Sequence, residues 1–268
     1  MLRQITIAAL IVSASGILAQ TPSQTPSPRP KFDTFEVATI KPVEPADKTP
    51  QYITMQGPHR FVEKYYTLKL LIAAAYDLNP RTISGGPSWI GSDRFDILAL
   101  TPGDVRPTRD EQMSMLRNLL TDRFKLAFHR EQKEFSIFEL EVAKNGPKLK
   151  KSTAPLDDPP ALLSTVYPQR ILLPARNTTM GEFTSLLQRA VLDRPVVDKT
   201  GLTGKYDFDL TWAPDNSQFG GGVAAASPDA PNPPFFTAVQ QQLGLRLVAT
   251  RGNVDALVVD QAERPSAN

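Results

Sequence analysis

The chain has 268 residues, 30 basic against 28 acidic side chains, two histidines and no cysteine. That length supports one large or two small domains with real cores. The near balance of charge excludes the basic excess of a nucleic-acid binder, and the lack of cysteine excludes disulfide staples, a lipidated cysteine anchor and thiolate zinc sites.

In chain order, Arg3 followed by the apolar residues 5–18 and Ala19 reads as an export signal, since the run is short for a membrane span. Residues 20–34 carry Pro with Ser, Thr and Gln and are expected to be a disordered tether. Export without disulfides is ordinary in a bacterium, so the expected compartment is periplasmic or extracellular, with no stable membrane insertion after the signal is cleaved. Phe35-Glu36-Val37-Ala38-Thr39-Ile40 alternates as a strand that should stop before Pro42. Leu68, Leu71, Ile72, Ala75 and Tyr76 share one helical face opened by Thr67, ending by Asn79-Pro80. A Gly85-Gly86-Pro87 turn precedes a strand with Phe95, Ile97 and Ala99 on one side. Thr108 and Glu111 have capping-box spacing ahead of Met113, Leu116, Leu119 and Leu120. Two strands are expected at 124–130 and 135–143. Residues 151–168 read as a linker.

The second part repeats these signals. Thr179 and Glu182 open a helix carrying Met180, Phe183, Leu187 and Val191. Tyr206, Phe208, Leu210 and Trp212 alternate with polar residues as a half-buried strand. Residues 213–234 read as a mobile loop, with Asn232-Pro233 starting a helix that carries Phe236, Val239 and Leu243. Two strands close the chain, at 245–249 and 254–260. Thr67 to Phe95 spans 28 residues and Thr179 to Tyr206 spans 27. The expectation is an α+β fold with an internal duplication: strand, helix, two strands, helix, two strands, in antiparallel or mixed sheets, as repeats at 35–150 and 169–268.

Chemistry is sparse in this sequence. There is no H-E-x-x-H, no G-x-S-x-G, no P-loop and no G-x-G-x-x-G. Lys199-Thr200-Gly201 lacks the partner motifs of penicillin-recognising enzymes. Lys144, Lys148, Lys150 and Lys151 form a basic cluster that reads as a solvated surface. His129 beside Glu131 has no identifiable nucleophile to serve, and Asp93, Asp96, Asp207 and Asp209 lack the short Gly-bearing loops of calcium sites. No catalytic residue, metal or cofactor is expected. The candidate binding residues are Trp89, set in a rigid turn, with Arg94, His129, Asp198 and Lys199.

Phe35 to Pro42, Gly85-Gly86-Pro87-Ser88-Trp89, Ser92-Asp93-Arg94-Phe95-Asp96-Ile97, Asp122-Arg123-Phe124-Lys125-Leu126, Arg194 to Leu202 and Glu263-Arg264-Pro265-Ser266 together resemble an uncharacterised family of soil-associated secreted proteins, a domain of unknown function abundant in Acidobacteria. The resemblance carries no activity or catalytic residues. Some of its members carry the domain attached to membrane metallopeptidases resembling beta-lactam sensors, which implies an extracytoplasmic sensing or interaction role. The expectation is an exported, non-catalytic binding or interaction module whose partner is an envelope protein or small ligand and not nucleic acid. The alternatives are an exported hydrolase around His129, Asp198 and the 213–234 loop, and a purely structural envelope protein.

Overall fold

The computed structural model describes residues 29–44, 51–155 and 158–266. The expected signal at 1–19 and most of the expected tether lie outside the described residues. The end of that tether is fastened down: Phe32 is buried, Arg29 pairs with Glu111 at 2.7 Å, and the Asn118 amide donates to the Asp33 carbonyl at 2.6 Å.

The first half contains β1 (Val37–Val43), β2 (Tyr52–Gln56), β3 (Arg60–Thr67), α1 (Leu68–Ala75), β4 (Ile83–Gly85), β5 (Arg94–Leu100), α2 (Arg109–Phe124) and β6 (Ala127–Val142). The second contains β7 (Lys150–Lys151), β8 (Ala161–Leu162), β9 (Thr165–Tyr167), β10 (Arg170–Thr178), α3 (Met180–Leu186), β11 (Val196–Asp198), β12 (Tyr206–Trp212), α4 (Phe235–Ala238) and β13 (Leu245–Gln261). Both α3 and α4 continue as π-turns, at Leu187–Val191 and Val239–Leu243. A few helices against antiparallel and mixed sheets make an α+β fold.

Three sheets result. The first is antiparallel with order β1-β5-β3-β2, the second has the path β7-β12-β10-β8 with β9 also on β10, and the third has order β11-β6-β13-β4. In the third, β6 and β13 pair antiparallel over their whole length, from Leu245 opposite Val142 to Gln261 opposite Ala127. Here the expected strand pairs at the ends of both halves are each a single long strand. Gln132-Lys133 and Gly252-Asn253 are polar enough to read as turns, but cross-strand pairs such as Arg251–Glu134 and Arg130–Asp255 carry the ladder through. The stretch expected to be a linker, 151–168, supplies β8, β9 and the second residue of β7. The first strand continues past Pro42 to Val43, which an edge strand tolerates because proline lacks only the outward N–H.

The halves exchange strands. β4 lies parallel to β13, and β11 lies parallel to β6. The first core, around Phe61, Leu68, Phe95 and Phe124, is completed by Leu257 and Val259 of β13. The second, around Phe183, Trp212 and Phe235, is completed by Phe138 and Leu140 of β6. Neither half closes its own core.

The helices α1, α2 and α3 start where the sequence says. The Thr67 hydroxyl accepts from the Leu70 N–H, and Thr108–Glu111 and Thr179–Glu182 each form a full capping box. A matched device delivers the chain into α1 and α3. β3 bulges at Tyr65 (φ 63°) and β10 at Asn177 (φ 52°), and each expelled N–H is caught by an aspartate on the neighbouring strand, Asp96 at 3.0 Å and Asp207 at 2.9 Å. The 213–234 stretch is tied to the core through the Trp212 indole N–H, which donates at 2.9 Å to the buried Gln218. α4 begins at Phe235, two residues beyond the expected proline start, so Phe235 is buried and Phe236 faces outward.

Candidate functional site

The structure does not gather the five candidate residues. Trp89 is buried in a 3-10 turn (Ser88–Gly91), edge-on to Phe95, and is roofed by Arg264, which Asp93 holds at 2.8 Å. Arg94 serves the β3 bulge, donating to the Tyr65 carbonyl at 2.8 Å and lying over the Tyr65 ring. His129 is exposed on β6, with Nδ1 2.8 Å from Asp260. Asp198 accepts from the Thr200 N–H and hydroxyl at 2.9 and 2.7 Å, closing a turn, while the Lys199 N–H donates to Leu140. Asp198 lies opposite Leu140 of β6, eleven residues along that strand from His129, so about 36 Å separates them at ~3.3 Å per residue. Trp89 and Arg94 share the first half, the Asp198–Lys199 turn sits in the second, and no site joins them to His129.

The aspartates weighed for calcium are engaged elsewhere. Asp96 and Asp207 hold the bulges, Asp93 holds Arg264 and Asp209 pairs with Arg176 at 2.9 Å. Among the described residues, no group of three or more His, Asp or Glu side chains is placed to hold a metal ion. The described surface carries shallow depressions. One, of about 280 Å³, lies between the flank of α4 and β13, where Phe236 and Leu247 meet Gln240, Gln241 and Arg246. Another, of about 520 Å³, lies where residues 30–33 cross the start of α2.

A polar cluster does converge where the halves meet, from residues that no sequence signal picked out. Asp77, just beyond α1 and held at φ 52°, accepts from Arg109 of α2 at 2.9 Å and from the Ser185 hydroxyl of α3 at 2.8 Å. Arg189, on the π-turn after α3, lies 3.6 Å from the same oxygen. Asn79 explains how that π-turn is satisfied: its side-chain amide donates to the Gln188 and Leu192 carbonyls at 2.5 and 3.4 Å. The Gln188 side chain returns a bond to the Asp77 carbonyl at 2.6 Å.

Glu63, fully buried on β3, neighbours this cluster through Tyr66, whose phenol feels Glu63, Arg189 and Arg109. One of its oxygens accepts from the Tyr66 N–H at 2.9 Å and the other has no partner among the described residues. Burial, assisted by Asp96, pushes its carboxyl up to about 9, so it is uncharged at neutral pH. Burial and Glu63 raise the Tyr66 phenol, which Arg189 and Arg109 pull the other way. Arg189 is pushed down to about 10 by burial and by the repulsion of Arg109. With Glu63 neutral, two guanidinium groups face the single carboxylate of Asp77. The sequence hid this arrangement because its members lie at 63, 66, 77, 109 and 189 and share no local pattern.

The outer face of the first sheet is the other feature of note. Its register sets Val37 against Leu100 and Thr39 against Leu98, with Leu98 also opposite Val62 and Leu100 opposite Arg60. Val37, Leu98 and Leu100 are 58, 40 and 38 % exposed, Val62 beside Leu98 is buried, and the face runs out at the Lys64–Asp96 ion pair, 2.6 Å long. The sheet's opposite face is the one that packs on α1 and α2, through Phe61, Phe95 and Ile97. No helix among the described residues is long and apolar enough to cross a membrane.

No curated protein and no solved structure matches the chain. A family model described as a protein of unknown function, DUF3738, matches residues 69–262, well over half of the sequence. The chain therefore belongs to the DUF3738 family of proteins of unknown function.

Proposed function

We propose that this protein is an exported, non-catalytic binding or interaction module of the bacterial envelope, and that it engages its partner through the outer face of the first sheet. The observation that carries the reading is the cluster of exposed apolar side chains Val37, Leu98 and Leu100, in which Val37 pairs with Leu100 and Leu98 stands two residues from Leu100 on the same face, rimmed by Arg60 and the Lys64–Asp96 pair. An apolar centre with a charged rim is the usual anatomy of a surface that docks another molecule. The wide separation of His129 from Asp198 favours the binding reading over a hydrolase built on those two residues. The signal-like start and the resemblance to secreted soil-associated proteins of Acidobacteria support export to the periplasm or beyond.

The architecture in this proposal is an internal duplication. Support comes from paired devices at near-constant offset: Tyr65 and Asn177 as bulge residues, Asp96 and Asp207 as their clamps, Thr67 and Thr179 as caps, and β4 and β11 as short strands donated to the other half. The two copies use opposite ends of one long β6–β13 ribbon.

The test is fractionation of the native bacterium, followed by binding of its envelope fraction to purified wild-type protein and to the Leu98→Asp/Leu100→Asp variant. The proposal expects export, and retention of a discrete partner that the variant loses while keeping its far-UV spectrum. Equal retention by both proteins contradicts it.

A further inference from the structure

We infer that the junction between the halves is an oxyanion-binding site, in which the guanidinium groups of Arg109 and Arg189 receive a carboxylate or phosphate group. Both arginines approach the same Asp77 oxygen, at 2.9 and 3.6 Å, so they are immediate neighbours, and that oxygen also accepts from Ser185. One carboxylate thus serves two cations, and the local charge is +1 once Glu63 is counted as neutral.

Arg189 is the telling member. Its guanidinium makes no hydrogen bond to any described residue, and its buried Nε has no acceptor. Only a fifth of the side chain is exposed, so water cannot fully replace the missing acceptors. A desolvated cation beside a like charge is costly unless something completes its hydrogen bonding. The downward push on Arg189 records that cost. The Tyr66 hydroxyl lies within electrostatic reach of both arginines and adds a donor.

Planar guanidinium forks match carboxylate and phosphate oxygens, and two forks with a phenol supply more donors than one oxyanion needs. The partly exposed side chains of Arg109 and Asp77 leave the site reachable from solvent. It is set by α1, α2 and the π-turn after α3, so ligand binding bears on how the two halves meet. The inference stands independently of the docking face on the first sheet.

The experiment is a titration of the purified protein at low ionic strength with inorganic phosphate and, separately, with acetate, followed by amide chemical shifts and by calorimetry. The expected result is saturable one-to-one binding of at least one of them, centred on residues around 77, 109 and 189. Phosphate alone points to a phosphate-bearing ligand, and acetate to a carboxylate. Arg189→Met should weaken binding about 10- to 100-fold, the range for loss of a charged donor pair, and Arg189→Lys less. Arg109 also supports the end of α1 through the Ala74 carbonyl, so its variant could fail by unfolding. Asp77→Asn avoids that ambiguity: it removes the competing charge and should tighten binding, which a purely structural role does not predict. Arg251→Met, on the distant ribbon, should change nothing. An unsaturable response equal to that of chloride, or equal weakening by Arg251→Met, overturns the inference.

Discussion

Glu63→Gln is the sharpest test of the buried junction. Glu63 is fully buried, and its carboxyl moves from an ordinary 4.5 to about 9. Between those values the folded protein holds a proton that the unfolded chain has released. The contribution to stability is therefore complete below pH 4.5 and is lost as pH rises towards 9. At 1.36 kcal/mol per pH unit, keeping that proton at pH 7 costs about 3 kcal/mol. Glutamine needs no proton, but its amide must sit where the unpartnered oxygen now lies, at a cost of about 1 kcal/mol. The variant should gain about 2 kcal/mol at pH 7, or roughly 4–8 °C in Tm for a chain of this size. At pH 5 the wild-type cost nearly vanishes and the variant should be no more stable than wild type. Urea unfolding at pH 5, 7 and 8.5 measures this directly. The same pH slope in both proteins, or a variant less stable at every pH, would refute the reasoning.

Three further outcomes are expected. Residues 29–145 and 146–268 expressed separately should each fail to show a cooperative thermal transition, because each core lacks the other half's long strand, while co-expression should restore one transition. Asn79→Ala should destabilise by about 1–3 kcal/mol in chemical denaturation, since it strands the carbonyls of Gln188 and Leu192 in the π-turn. Gly244→Ala should cost more than the ~1 kcal/mol of placing a side chain at positive φ, because the new methyl would run into the Gly146 backbone. Thermal melts would show a larger loss than for Gly201→Ala, where a new methyl meets nothing.

The local parts of this fold were legible in the sequence. Thr67, Thr108 and Thr179 cap helices, Phe95-Ile97-Ala99 and Tyr206-Phe208-Leu210-Trp212 face cores, and each follows from spacing within a few residues. What failed depended on tertiary pairing. Glycine and asparagine at 252–253 signal a turn, yet β13 runs through them because β6 lies alongside for its full length. Phe236 reads from spacing as one of the helix's apolar residues with Val239 and Leu243, yet the start of α4 at Phe235 turns it outward. The junction cluster was wholly illegible: Glu63 stands in Arg60–Thr67, which carries no motif, and nothing near Asp77 announces Arg109 or Arg189.

The outer face of the first sheet is the proposed meeting place with another molecule. The most direct measurement is site-specific photo-crosslinking in the native envelope, with the probe placed in turn at Leu98, at Phe236 on α4 and at Arg251 on the ribbon. One discrete adduct is expected from Leu98, absent from the other two positions and abolished by Leu100→Asp. No adduct at Leu98, or the same adducts from all three positions, would contradict it.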